Sequence, residues 1–220
     1  FFLLSSEYRS QQILTEKSWT VSSFLDFSEG TLADSGVNTY VTAAGEVQLI
    51  NQWDLNRDGF IDIVLPNTHD KNEQIDLFIY WGVEETHVSH RTRLPSDGGF
   101  AQATDDLNQD GFVDLVVVNG FNGIKTNLNS YIYWGHVDGF RVERRAELPT
   151  LGATAAAVGD VNRDGFLDVV FSNSGRVYGK QPGPENNSFL YWGSADGFSA
   201  SHRLVLATAV ASDVSIADLN

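Results

Sequence analysis

Three nine-residue stretches of this chain carry oxygen-bearing side chains at the same four places. Asp54-Leu-Asn56-Arg-Asp58-Gly59-Phe60-Ile-Asp62 recurs as Asp106-Leu-Asn108-Gln-Asp110-Gly111-Phe112-Val-Asp114 and again as Asp160-Val-Asn162-Arg-Asp164-Gly165-Phe166-Leu-Asp168. A fourth copy opens at Asp218-Leu-Asn220, where the sequence ends. Side-chain oxygens at positions 1, 3, 5 and 9, joined by the main-chain carbonyl of the seventh residue (Phe60, Phe112, Phe166), make the donor set of a hard cation. Calcium takes about six to eight oxygens, and a tight loop can supply them at alternate positions with water completing the shell. Gly59, Gly111 and Gly165 stand where such a loop must turn sharply, and are expected at positive φ. An Asx turn would explain one Asp-Gly pair, but not a nine-residue oxygen pattern in triplicate.

After each loop the chain runs Ile-Asp-Ile-Val-Leu, Val-Asp-Leu-Val-Val-Val or Leu-Asp-Val-Val-Phe. Such β-branched runs read as strands. An EF-hand needs an exiting helix and a bidentate Glu at the twelfth position; Leu65, Val117 and Phe171 stand there, so these are not EF-hands. With Asn at position 3 each full loop has three carboxylates, and this modest charge sets the expected calcium affinity at roughly 10⁻⁴ M, within the range of extracellular modules.

The loops start at 54, 106, 160 and 218, periods of 52, 54 and 58 residues. Periods of this order belong to propellers and other arrays. A second marker travels with the loop: Tyr80-Trp81-Gly82, Tyr133-Trp134-Gly135 and Tyr191-Trp192-Gly193. A third, Asp138-Gly-Phe140 and Asp196-Gly-Phe198, is replaced in the first repeat by Glu85-Thr-His87.

Four strand-like segments fit each unit. The first enters the loop (Val47–Ile50, Ala101–Thr104, Ala155–Val158, Val214–Ala217), and the second leaves it (Ile61–Leu65, Val113–Val118, Leu167–Phe171). The third ends at Tyr-Trp (Ile75–Trp81, Ser130–Trp134, Ser188–Trp192), and the fourth covers Val88–Leu94, Phe140–Leu148 and Phe198–Leu206. Four antiparallel strands in so short a unit make a propeller blade. The fold class is therefore all-β: a β-propeller, or part of one, of four-stranded antiparallel blades with the cation loop between strands 1 and 2. Arg91, Arg93, Arg141, Arg144, Arg145 and Arg203 lie in the fourth strands, where charge on an outer edge discourages edge-to-edge pairing. Residues 46–220 hold the repeats. Residues 1–45 lack the motif and read as a degenerate or partial blade or an N-terminal extension, with Ser23–Phe27 near the place of a third strand and a hairpin over Thr39–Ile50. An end inside a loop suggests a longer polypeptide, or a second chain that completes the ring.

The loop D-x-N-x-D-G-x-x-D, its apolar strand and the following Y-W-G-x-x-D-G-F resemble the FG-GAP/VCBS repeat family over about residues 46–220. The best-known members are the N-terminal propellers of integrin α chains. The resemblance implies a calcium ion in the loop joining the first two strands of each blade. Two departures stand out: Asn replaces the more usual Asp at position 3, and a Phe-Gly-Gly-Ala-Pro signature is absent. Integrin-like ligand binding is therefore not implied.

The formal charge is −15, and nine of the 29 acidic residues belong to the three full loops. This balance disfavours nucleic acid, which rewards basic faces. No apolar run approaches the roughly 18 residues of a membrane span. The lack of Cys removes disulfides, zinc-thiolate sites and thiol catalysis. Weak calcium sites fill where calcium is about millimolar, outside the cytosol, so the chain is expected to be exported: extracellular, at the cell surface or periplasmic. Asn186-Asn187-Ser188 is an acceptor sequon.

Alternating strand directions put the cation loops and the Tyr-Trp-Gly loops at one end of each blade and the strand 2–3 loops at the other. Length varies mostly in the latter, Pro66–Gln74, Asn119–Asn129 and Ser172–Asn187. Variable loops on a rigid scaffold are where binding tends to reside. They offer Asn67, His69, Asn119, Phe121, Asn122, Lys125, Arg176, Tyr178 and Lys180 as candidate contacts to a protein or a glycan. The recurrent Tyr-Trp pair reads as packing, with the Trp N–H on a backbone partner, and Trp53 reads as packing too. The five His are scattered, and no hydrolase, metalloprotease or phosphate-loop motif occurs. The expectation is a non-catalytic binding or scaffold module with about three structural calcium sites. The alternatives are an accessory propeller of a larger secreted enzyme, or a structural subunit of a multi-protein assembly.

Overall fold

Continuous apolar runs such as Leu115–Val118 need burial on both faces, and the fold supplies it by stacking one sheet on the next. The structure, a computed structural model, describes residues 37–41, 47–51, 53–68, 76–82, 91–175, 186–217 and 219, with no account of the side chains of 37–51. Asn38–Asn220 form one unit. Its strands are β1 (Val37–Val41), β2 (Val47–Asn51), β3 (Ile63–Leu65), β4 (Leu77–Tyr80), β5 (Arg91–Leu94), β6 (Gly99–Asp105), β7 (Asp114–Asn119), β8 (Asn127–Tyr133), β9 (Arg145–Leu151), β10 (Ala153–Gly159), β11 (Asp168–Asn173), β12 (Ser188–Tyr191) and β13 (Arg203–Leu206).

These strands form antiparallel meanders. β6-β7-β8-β9 and β10-β11-β12-β13 are four-stranded, β3-β4-β5 is three-stranded, and β1-β2 pair alone. The second and third repeats thus fold as sheets that resemble propeller blades. β7 and β11 are buried along their whole length. Successive side chains of a strand point to opposite faces, and β7 uses both. Leu115 and Val117 pack with Leu77, Ile79 and Leu94 of the first repeat. Val116 and Val118 pack with Val169, Phe171 and Tyr191 of the third. A strand shared between two cores has no room for the polar alternation of a half-exposed sheet.

Four expectations change. Among the described residues β2 pairs with β1 and not with β3, so the sheet of the first repeat has three strands there. β3 has three residues against six in β7 and β11, and starts one loop position later. The Asp62 N–H donates to the Trp53 carbonyl at 2.7 Å across its loop mouth. Val214–Ala217 is not a strand. The segment still follows β10: Ala211 accepts a bond from the Thr154 hydroxyl, and Ile216 lies over Gly159. The fourth strands begin late, at Arg145 and Arg203, because turns closed by Arg144 N–H to Arg141 and His202 N–H to Ser199 precede them. Residues 1–36, including the third-strand assignment at Ser23–Phe27, lie outside the described residues, whereas the expected hairpin is present as β1-β2.

Candidate metal centres

The three full loops fold alike, atom for atom. The position 1 carboxylate accepts the N–H groups of positions 5 and 6: Asp54 from Asp58 (3.1 Å) and Gly59 (2.9 Å), Asp106 from Asp110 (3.1 Å) and Gly111 (2.9 Å), Asp160 from Asp164 (3.1 Å) and Gly165 (3.0 Å). The Asn at position 3 accepts the position 5 N–H and donates its amide to the position 5 carboxylate, as Asn56 does to Asp58, Asn108 to Asp110 and Asn162 to Asp164. Position 5 in turn accepts the N–H of Phe60, Phe112 or Phe166. The loop glycines take φ of 92°, 90° and 91°, as their placement requires. Position 4 is also left-handed, with φ of 62°, 60° and 62° at Arg57, Gln109 and Arg163. Nothing in an Arg or Gln announces that conformation, which L-residues adopt at a cost of about 1–2 kcal/mol.

Position 9 explains why the loop and the Tyr-Trp-Gly marker travel together. One carboxylate oxygen of Asp62, Asp114 or Asp168 accepts the N–H of loop position 2. The other accepts the N–H of Gly82 (2.8 Å), Gly135 (2.7 Å) or Gly193 (2.9 Å). The glycine is obligatory: a Cβ there would sit 2.4, 2.3 or 2.2 Å from the carbonyl oxygen of Ile61, Val113 or Leu167.

Among the described residues no three His, Cys, Asp or Glu side chains stand grouped as a metal site of those residues alone would need. A cation in these loops would draw on Asn and main-chain oxygens as well as on carboxylates. Their electrostatics fit a cation. Burial pushes the Asp62 carboxyl up to about 6, with the charges of Asp54 and Asp58 adding to the rise. Burial, joined by Asp110, does the same to Asp106, to about 6. Asp114 rises to about 8 through burial and the nearby Asp110 and Asp106. Backbone donors oppose these shifts without cancelling them. The ion pairs of Arg93 with Asp76, of Arg141 and Arg144 with Asp138 and of Arg145 with Glu147 lie outside the loops. Crowded, partly desolvated carboxylates of this kind are stabilised by a bound cation.

Neighbouring loops touch. The Arg57 guanidinium lies 5.4 Å from the centre of the Phe112 ring, and the Gln109 amide donates to the Gly165 carbonyl. The left-handed turn at position 4 thus delivers a side chain to the next loop.

The Tyr-Trp pair is structural, as expected, with partners that composition does not reveal. Tyr133 and Tyr191 are fully buried, and their hydroxyls donate to the Pro95 and Pro149 carbonyls of the preceding repeat. Trp81 Nε1 donates to the Thr92 hydroxyl at 2.8 Å, a side chain and not the backbone. Trp134 stacks on Phe198 of the next repeat, with ring centres 6.3 Å apart. Three of the fourth-strand arginines do more than charge an edge: Arg91, Arg145 and Arg203 lie over Phe78, Tyr131 and Phe189 at 4.6, 4.1 and 4.1 Å and donate to Tyr80, Tyr133 and Tyr191. Trp53, read as packing, is 42 % exposed.

At the opposite end, Asn119 is fully buried, not on a loop surface. Its amide donates to the Asn129 carbonyl and accepts the Asp97 N–H. Asn67 repeats the first of these bonds to Asp76, and Asn173 the whole set, to Asn187 and from Leu151. Ser130 with Thr150 completes a buried polar column in the second repeat, and buried Ser188 bonds to exposed Thr208 in the third. Asn122 folds its own turn through Ile124 and Lys125 and ties to Asp97, leaving Lys125 exposed and Phe121 half-buried. His69, Arg176, Tyr178, Lys180, Asp218 and Asn220 lie outside the described residues.

An FG-GAP-like repeat is matched over residues 106–171. Human integrin alpha-7 is 32% identical over 126 residues, which cover 52% of this chain and 10% of that protein. Mouse integrin alpha-7 is 28% identical over 118 residues, covering 48% and 9%, and Drosophila melanogaster integrin alpha-PS5 is 28% identical over 108 residues, covering 44% and 11%. The chain thus matches about a tenth of the length of these curated relatives. Among the described residues no helix is long and apolar enough to cross a membrane. Loop, sheet and similarity converge: residues 106–171 match an FG-GAP-like repeat, and about half of the chain is similar to integrin α chains.

Proposed function

We propose that this chain is a calcium-stabilised, non-catalytic binding module of an exported protein, its sheets being consecutive blades of a propeller. The observation that carries the reading is the loop of Asp54–Asp62, Asp106–Asp114 and Asp160–Asp168, folded three times in one way around an excess of partly buried carboxylate. Asp54, Asn56, Asp58, Asp62 and the Phe60 carbonyl would hold one ion, with the matching residues of the other two loops holding two more. When bound, calcium supplies positive charge and ties strand 1 to strand 2. The chain's own residues do the rest. The position 1 carboxylate gathers the turn, the position 9 carboxylate fastens it to the Tyr-Trp-Gly glycine, and the sheets behind present rigid loop ends to a protein or glycan partner.

Thermal unfolding in millimolar calcium and in excess chelator tests this. At about ten times Kd each ion adds about 1.4 kcal/mol, so three should shift Tm by roughly 10 °C in a chain of this size. An unchanged Tm would sink the calcium reading.

A further inference from the structure

The repeats are alike in their loops and unlike just before them. Position −1 is Trp53, Asp105 and Gly159 in turn. Along the first strand of the second repeat stand Gln102, Thr104 and Asp105; the matching places in the third, fixed by pairing of Gln102 with Val117 and of Ala156 with Phe171, are Ala156, Val158 and Gly159. In the third repeat Ile216 lies over Gly159, its nearest atom 3.3 Å from where a Cβ would be. In the second repeat Val158, two residues before its loop as Ile216 is before the fourth, holds the matching place. A hollow of about 250 Å³ lies there, lined by Trp53, Gln102, Ala103, Thr104, Asp105 and Val158. An array held together by near-identical loops has no packing need for polar groups at one inner strand and none at the next.

We propose that this hollow binds a saccharide ring, which gives the binding-module reading its ligand class and rests on that reading. Trp53, 42 % exposed, offers an aromatic surface for the apolar face of a sugar. Asp105 accepts hydrogen bonds, while Gln102 and Thr104 both donate and accept, which suits a rim of hydroxyls. One Asp105 oxygen already accepts the Asp106 N–H at 2.9 Å and is held in place by it. An apolar ligand would strip water from these groups without replacing it. An anion would meet Asp105 in a chain of formal charge −15. The volume falls just below the roughly 300–1,000 Å³ of pockets that enclose drug-sized ligands, so the hollow takes one ring, the end or one unit of a glycan.

The test is an array of immobilised neutral glycans overlaid with the calcium-loaded chain, followed by titration of the glycans retained. Trp53→Ala should weaken binding at least about tenfold, and Gln102→Ala about fivefold, the loss of one hydrogen-bonding side chain. Gln102 is exposed and away from the loop carboxylates, so its replacement leaves folding and metal sites intact. Phe100→Ala, at the far end of β6 and 50 % exposed, should change nothing. The proposal is overturned if no neutral glycan is retained, if only amine-bearing probes are, or if binding survives both Trp53→Ala and Gln102→Ala. A chain whose Tm falls in chelator but which retains no glycan loses this site and keeps the calcium-stabilised module. A chain that binds glycan with the same Tm in chelator keeps the site and loses the calcium.

Discussion

Loops Asp54–Asp62 and Asp106–Asp114 share a donor set and a hydrogen-bond scheme, yet stand in different surroundings. Asp106 and Asp114 are fully buried, whereas Asp54 is half-buried and Asp62 is 7 % exposed. The first loop feeds a three-stranded sheet; the second lies between two packed repeats and is contacted by Arg57 from the loop before. The carboxyl at position 9 accordingly rises to about 6 in one and about 8 in the other. The loop residues are the same, and their neighbours decide how far the carboxyls are pushed from the charged form.

The largest effect should come from Gly135→Ala. Its Cβ would meet the Val113 carbonyl inside a strand pair with no slack. A loss of about 3 kcal/mol or more is expected in chemical unfolding. Gly82→Ala, with the same clash in the thinner first sheet, should cost about half as much if that sheet yields. Equal losses would mean that the two environments are mechanically alike.

pH should separate the loops next. A carboxyl whose folded pKa lies above its unfolded value near 3.9 adds stability that is complete below about pH 4 and is lost as pH rises through the folded pKa. Without calcium, stability should therefore fall in two stages: one toward about 6, set by Asp62, Asp105 and Asp106, and one toward about 8, set by Asp114. Asp114→Asn should remove the second stage and lessen the first in chelator-treated protein followed by thermal unfolding. A single stage would erase the contrast between the loops.

Tyr133→Phe removes a buried hydroxyl that ties the second repeat to Pro95 and should cost about 1 kcal/mol. Tyr80→Phe, whose oxygen accepts from exposed Arg91, should cost less than about half of that. Gln109→Ala should have the smallest effect, roughly 0.5 kcal/mol, read as faster amide exchange confined to the turn around Gly165. Exchange that speeds up across all of β11 would show that the contact supports the sheet as well.

The strands beside the loops were legible because two-sided burial leaves continuous apolar runs, as in Leu115–Val118. So were the loop glycines, whose φ only glycine adopts freely. What sequence could not show was partnership across repeats. The hydroxyl of Tyr133 finds Pro95, and the amide of Asn119 finds Asn129 and Asp97, through contacts set by stacking angles that no local pattern encodes. Position 4 was hidden for a different reason. Its left-handed backbone falls on Arg57, Gln109 and Arg163, residue types with no preference for it, and is imposed by the bonds on either side. Trp53, read as packing, keeps 42 % of its surface exposed, a degree of cover that its residue type and place beside a loop do not fix.

Three ties between repeats end on main-chain oxygens: Tyr133 on Pro95, Tyr191 on Pro149 and Gln109 on Gly165. A carbonyl is offered by every residue, so the accepting repeat needs no particular side chain to receive its neighbour. Sequence memory sits on the donor alone. A duplicated unit could be spliced into such an array and dock at once, then drift on its accepting edge without loosening the joint. Inner strands would be free to diverge, as Trp53, Asp105 and Gly159 have, while the joints between units stay unchanged.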